Sequence, residues 1–154
     1  MSNAPNVSPI REFVAIRLPI FLYCIVGIAL LLQGVRYFGA DNLMPYHLAV
    51  IATPWDSLGP SHQTLFLGLL KGFGAGSFCV GLAILLLTLI PLRAGSNWSR
   101  WAIPAIGTTY TGALIYVTNF TLLPGATPIA VTTVLLGSVI VASVSSFIGK
   151  SKAG

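Results

Sequence analysis

Residues Pro60–Ile90 read PSHQTLFLGLLKGFGAGSFCVGLAILLLTLI, and this stretch decides the fold. From Ser61 to Ile90 it offers about 30 helical residues, or ~45 Å at 1.5 Å per residue, more than the ~30 Å of a bilayer's hydrocarbon. Gly68, Gly72 and Gly76 recur at every fourth position. That spacing puts them on one helix face, where a neighbouring backbone can approach closely, so they are expected to be helix-packing residues. Lys71 is a charge set inside this apolar pattern.

Working outward, the whole chain has the same character. Of its 154 residues 55% are hydrophobic and 7% charged, and the mean hydropathy is +0.89. A soluble domain carries roughly 25% charged residues, and fewer cannot cover its surface. Uncharged stretches of spanning length occur at Leu18–Val35, Gly72–Ile90, Trp101–Leu123 and Pro128–Gly149. The expected fold is therefore all-α: a polytopic membrane protein forming one domain over 1–154, with four transmembrane helices in a bundle at about 17–38, 64–90, 101–122 and 128–148. The formal charge of +5 comes from single Lys and Arg residues at the ends of apolar runs, not from a basic stripe, so nucleic acid is not expected as a partner.

Those basic residues set the expected topology. Arg11 and Arg17 precede the first span, Arg93 and Arg100 lie between the second and third, and Lys150 and Lys152 follow the fourth. The 39–63 loop contains Asp41 and Asp56 but no Lys or Arg. The positive-inside rule then places both termini in the cytoplasm and this loop outside. The first span is expected to be a signal anchor, since its apolar run exceeds the ~7–15 residues of a cleaved signal and bulky Phe38 spoils a cleavage site after Ala40. Met1–Pro9 is expected to be a polar tail. Helix 2 is expected to start near Ser61, capped by its hydroxyl, and to end before Pro91.

The outer loop 39–63 concentrates unusual residue types: both histidines, His47 and His62, together with Met44 and Trp55. Loops beyond about 12–15 residues generally have a role. MPYHLAVIA followed by TPW suggests a short helix lying in the membrane interface, with Pro45 in its first turn and Trp55 at headgroup depth. On the residues Met44-Pro45-Tyr46-His47 with Trp55, after a first span and before a Gly-rich second one, the chain resembles a group of small bacterial four-helix membrane proteins to which no activity is assigned. The resemblance implies the fold and a bacterial inner membrane, and carries over no catalytic residue.

Several constellations could hold chemistry. Lys71 could face the bundle and bind an anionic headgroup or a carboxylate, or lie at the boundary with its stem extended to water. No expected span contains Asp or Glu, so a proton-coupled transporter is disfavoured. Lys71 with Tyr46, His47, Trp55 and His62 makes a possible ligand or partner site. Met44, His47 and His62 are weak candidates for copper or zinc, because no HxxxH pair or cysteine pair accompanies them. Cys24 and Cys79 are expected at about the same depth on antiparallel helices, within possible reach of each other. Thr108, Thr109, Tyr110 and Thr111 form a hydroxyl cluster in the third span, and Ser138, Ala142 and Ser146 a second small-residue face on the fourth.

No Ser–His–Asp or other catalytic set is present, so the chain is not expected to be an enzyme. The leading expectation is an accessory or assembly subunit of the bacterial inner membrane, which acts through helix packing and its outer loop. Its partners would be the lipid bilayer and other membrane subunits or further copies of itself. The alternative is a lipid- or quinone-binding or metal-binding protein that uses Lys71 and the His47/His62 loop. A small oligomeric transporter comes third.

Overall fold

The computed structural model describes residues 16–121 and 127–148, and among these the protein is helical with no strand. Five α-helices follow in order: α1 Leu18–Phe38, α2 Pro45–Ile51, α3 Pro60–Leu87, α4 Ser99–Thr121 and α5 Thr127–Ile148. The Met1–Pro9 tail, Arg11, the turn around Pro124-Gly125, Lys150 and Lys152 lie outside the described residues.

Three helical segments are long and apolar enough to cross a membrane, namely Leu18–Phe38, Pro60–Leu92 and Ile129–Phe147. They mark the chain as a membrane protein. The expectation of four such segments is not met in full. α4 has the length, at 23 residues, but Thr108, Thr109, Tyr110, Thr111, Thr118 and Asn119 dilute its apolar character. Most of those polar groups are bonded locally. Thr108, Thr111 and Thr118 donate to the carbonyls of Pro104, Gly107 and Leu114 at 2.6, 2.6 and 2.8 Å, and Asn119 Nδ2 donates to Ile115 at 2.9 Å. Back-bonding of this kind is what lets a hydroxyl-rich helix pack away from water.

α1 and α3 form the tightest pair in the molecule. They run antiparallel, with Gly27 against Gly81 and Gly34 against Gly74. A Cβ on Gly81 would stand 2.7 Å from the Gly27 carbonyl oxygen, and one on Gly74 would stand 2.5 Å from the Phe38 amide nitrogen. Only a residue without a Cβ fits such contacts. Within this chain the packing face of α3 is therefore a different one from the fourfold glycine repeat. Gly68, Gly72 and Gly76 are exposed, and a Cβ on any of them would meet nothing within 4 Å. Gly72 and Gly76 each stand two residues from Gly74, about 200° round the helix, so the fourfold repeat points away from α1. On α5, Ala142 and Ser146 are buried and Ser138 is half-buried, and Val139 packs on Gly107 of α4.

The register also separates the cysteines. Gly27 faces Gly81 and Leu85, which places Cys24 more than a turn of α3 from Cys79. Both thiols are free, and Cys79 is exposed.

The start and end of α3 differ from expectation as well. Pro60 occupies the first turn, Gly59 is the N-cap, and no side chain caps the helix, so the Ser61 hydroxyl is not needed there. Pro91 does not end the helix. Thr88–Leu92 widens into a π-turn in which the Arg93 amide reaches the Thr88 carbonyl at 3.1 Å, and the missing Pro91 donor is absorbed.

Candidate functional site: a cavity under the short helix α2

The connection from α1 to α3 folds back over the bundle. Pro45 sits in the first turn of α2, as its missing amide allows, and Ala52 ends the helix in the left-handed region at φ 50°. A 3₁₀ turn, Trp55–Ser57, follows, and Gln63 Nε2 ties the Trp55 carbonyl to α3 at 2.9 Å. These bonds close the loop against the helix it precedes.

Under α2 lies a cavity of ≈450 Å³. Tyr46, His47, Val50 and Ile51 of α2 form its roof, Phe66, Leu69, Leu70 and Phe73 of α3 one wall, and Leu114, Val117 and Thr118 of α4 another. Tyr37 closes the α1 side. Its ring meets Phe73 edge-on with centroids 5.0 Å apart, and its hydroxyl pairs with that of Tyr46. His47 packs edge-on against Tyr46 at 4.4 Å between centroids. An aromatic collar thus surrounds an apolar chamber, which is the usual make-up of a small-molecule site.

The exception in this apolar wall is His47. Its Nδ1 is buried and has no hydrogen-bond partner among the described residues. Burial pushes its pKa below the ordinary value of 6.5, so the ring is neutral at pH 7, with one nitrogen donating and the other accepting. A buried polar atom without a partner costs stability unless something else satisfies it.

The expected site residues divide into two groups. Tyr46 and His47 meet at the cavity. Lys71, Trp55 and His62 are not part of its wall. Lys71 is half-buried, a turn before the Gly74 that touches Phe38, which places it level with the end of α1. No ion pair holds it among the described residues. His62 is exposed in the first turn of α3. Met44 is the N-cap of α2 and receives Arg36 Nη2 at 3.8 Å. Among the described residues no three His, Cys, Asp or Glu side chains converge. Sequence reasoning missed Tyr37, Phe66 and Phe73. Tyr37 and Phe73 at matching depth on two antiparallel helices, with Phe66 two turns before Phe73, were the available signal.

No family model matches the chain, and no curated protein or solved structure gives a match, so its function is argued from the site itself.

Proposed function

We propose that the chain binds an amphiphile, a quinone or a lipid, in the cavity under α2, with both termini on the cytoplasmic side of a bacterial inner membrane. The observation that carries this reading is the unpartnered buried Nδ1 of His47 on a wall that is otherwise aromatic and aliphatic apart from Thr118, whose hydroxyl is bonded to its own helix. Such a site rewards a ligand with an apolar body and one carbonyl or hydroxyl head, and the neutral imidazole can donate to the first or accept from the second. The role proposed for this wall is binding. Thermal unfolding of the detergent-purified protein, titrated with decylubiquinone, tests the idea. A saturable stabilisation is expected, and it should vanish when Leu70→Trp fills the chamber and fall in His47→Phe. An equal response from wild type and Leu70→Trp would sink it.

A second reading, an accessory or assembly subunit, is supported by a different observation. Gly68, Gly72 and Gly76 form a small-residue face that nothing among the described residues covers. A partner helix in the membrane could approach there as closely as α1 does on the other side. Extraction from native membranes in mild detergent discriminates the two: a protein that runs alone as a monomer removes the subunit reading and leaves the cavity reading untouched.

A further inference from the structure

At the end of the bundle opposite α2, a smaller cavity of ≈100 Å³ is enclosed by Ile20 of α1, Leu92 and Arg93 after the π-turn, Arg100 of α4 and Ser146 of α5. Arg100 is half-buried. Its Nη1 donates to the Ser146 carbonyl at 3.2 Å, one of the last carbonyls of α5, while its Nε is buried and has no partner among the described residues. A guanidinium carries five N–H donors and no acceptor, so one carbonyl leaves most of its capacity unused. Arg93 brings a second guanidinium to the same cavity wall.

The chain has three acids, Glu12, Asp41 and Asp56. Asp41 and Asp56 lie in the α1–α3 connection, at the other end of the bundle, and Glu12 lies outside the described residues. Among the described residues, then, two arginines share a cavity that no carboxylate enters. A partly buried cation such as Arg100 is costly without a counter-charge, exposed Arg93 can close on the same ligand from the rim, and the planar fork of Arg matches the oxygens of a phosphate well. The volume is that of about three waters at ~30 Å³ each, which suits one phosphate group and is too small for an acyl chain. Trp98 and Trp101 are exposed beside it, and Trp101 packs on Phe147 with centroids 4.5 Å apart. Exposed indoles at the end of apolar helices mark headgroup depth.

We propose that Arg93 and Arg100 form a phosphate site that holds the phosphodiester of a membrane phospholipid, with its acyl chains outside against the exposed apolar faces of the helices. The site is independent of the cavity under α2. Binding of dioleoyl-phosphatidylglycerol to the delipidated protein in maltoside micelles, read by native mass spectrometry and by thermal shift, tests it. Arg100→Gln should weaken binding by about tenfold or more, and Arg100→Lys should recover only part because a point charge replaces the fork. Arg93→Gln, at an exposed position that threatens no fold, should weaken it less. Arg17→Gln, exposed and outside the cavity, should stay within about twofold.

Dioleoylglycerol, which lacks the phosphate, should not compete. Inorganic phosphate should compete only at far higher concentration than the lipid. Full protection by inorganic phosphate alone would assign the site to free phosphate instead of a headgroup. Unchanged lipid binding in both Arg93→Gln and Arg100→Gln would overturn the proposal. So would a tenfold gain in Glu12→Gln, since it would show that the chain's own carboxylate already fills the site.

Discussion

The two halves of α3 solve opposite problems with the same helix. From Gly74 onward, Gly74 and Gly81 let α1 approach until backbone meets backbone, and no room remains between the two helices. Before Gly74, Phe66, Leu69, Leu70 and Phe73 line the side that meets α2 and α4, and a ≈450 Å³ chamber is left open. The difference shows that glycine content alone does not make a contact. Gly68 and Gly72 lie in the open half, Gly76 in the closed half, and all three have empty space where a Cβ would go. What matters is whether the missing side chain points at a neighbour.

The largest effect should come from breaking the closed half. Gly81→Leu would drive a side chain into the Gly27 carbonyl and the Leu31 amide, neither of which can move without unwinding α1. Overpacking of this sort costs about 3 kcal/mol, whereas Gly76→Leu, facing open space, should stay within about 0.5 kcal/mol. Thermal unfolding in detergent measures both. Equal melting temperatures for the two variants would mean that the α1–α3 contact is not what holds the bundle together.

How far the sequence discloses these halves follows from the same geometry. Helix positions were legible to within a few residues because a run such as Leu18–Phe38 has one physical use, and the interruptions, read as 39–63 and 91–100, are 39–59 and 93–98 in the structure. The short helix at Pro45 was legible from proline's preference for a first turn. The packing face was not legible. Glycines four apart and glycines seven apart both fall near one face of a helix, and only the direction of α1 chooses Gly74 and Gly81 over Gly72 and Gly76. The same limit hid half of the site. His47 and Tyr46 drew notice as unusual residues in a loop, while Phe66 and Phe73 look like any lipid-facing aromatic until α2 folds over them. Arg100 read as a topology marker, because its burial depends on where α5 ends.

Loosening the open half should cost less. Tyr46→Phe removes one member of the Tyr37–Tyr46 hydroxyl pair that pins α2 over the chamber. A loss of about 1 kcal/mol is expected, the usual worth of such a bond when the partner is left behind. Hydrogen exchange makes the comparison sharper than melting does. Amides of residues 66–73 should exchange faster while those of 77–87 hold, and uniform acceleration along α3 would show that the two halves open as one unit.

A smaller change should follow from pH. Burial holds the folded His47 below the ordinary value of 6.5, so below that pH the unfolded chain binds a proton that the folded one resists. The unfolded state then takes up more protons, and stability must fall as the pH drops through about 6.5 and stay flat above it. His47 is only partly buried, which screens the effect and keeps it below that of Tyr46→Phe. In His47→Gln the acid-side decline between about pH 6.5 and 5 should disappear. Its persistence would place the titrating group elsewhere and weaken the case for a desolvated imidazole over the chamber.

The smallest effect probes the boundary between the halves, where Ser77 pairs with Tyr110 of α4 one turn beyond Phe73. Ser77 Oγ donates its one proton to the Phe73 carbonyl at 3.0 Å, so Tyr110 must be the donor in the pair. Removing the two partners is therefore not equivalent. Tyr110→Phe leaves Ser77 still bonded to its own helix and orphans no donor. Ser77→Ala leaves the Tyr110 hydroxyl without its acceptor and should cost more, even though an alanine Cβ fits the space. A coupling of about 0.6 kcal/mol is expected from the double-mutant cycle, the average for such bonds between membrane helices. If Tyr110→Phe proved the more costly single change, the proton would run the other way. Ser77 would then have given up its back-bond to Phe73 to donate to Tyr110, and the tie between α3 and α4 would rest on the serine's proton rather than the tyrosine's.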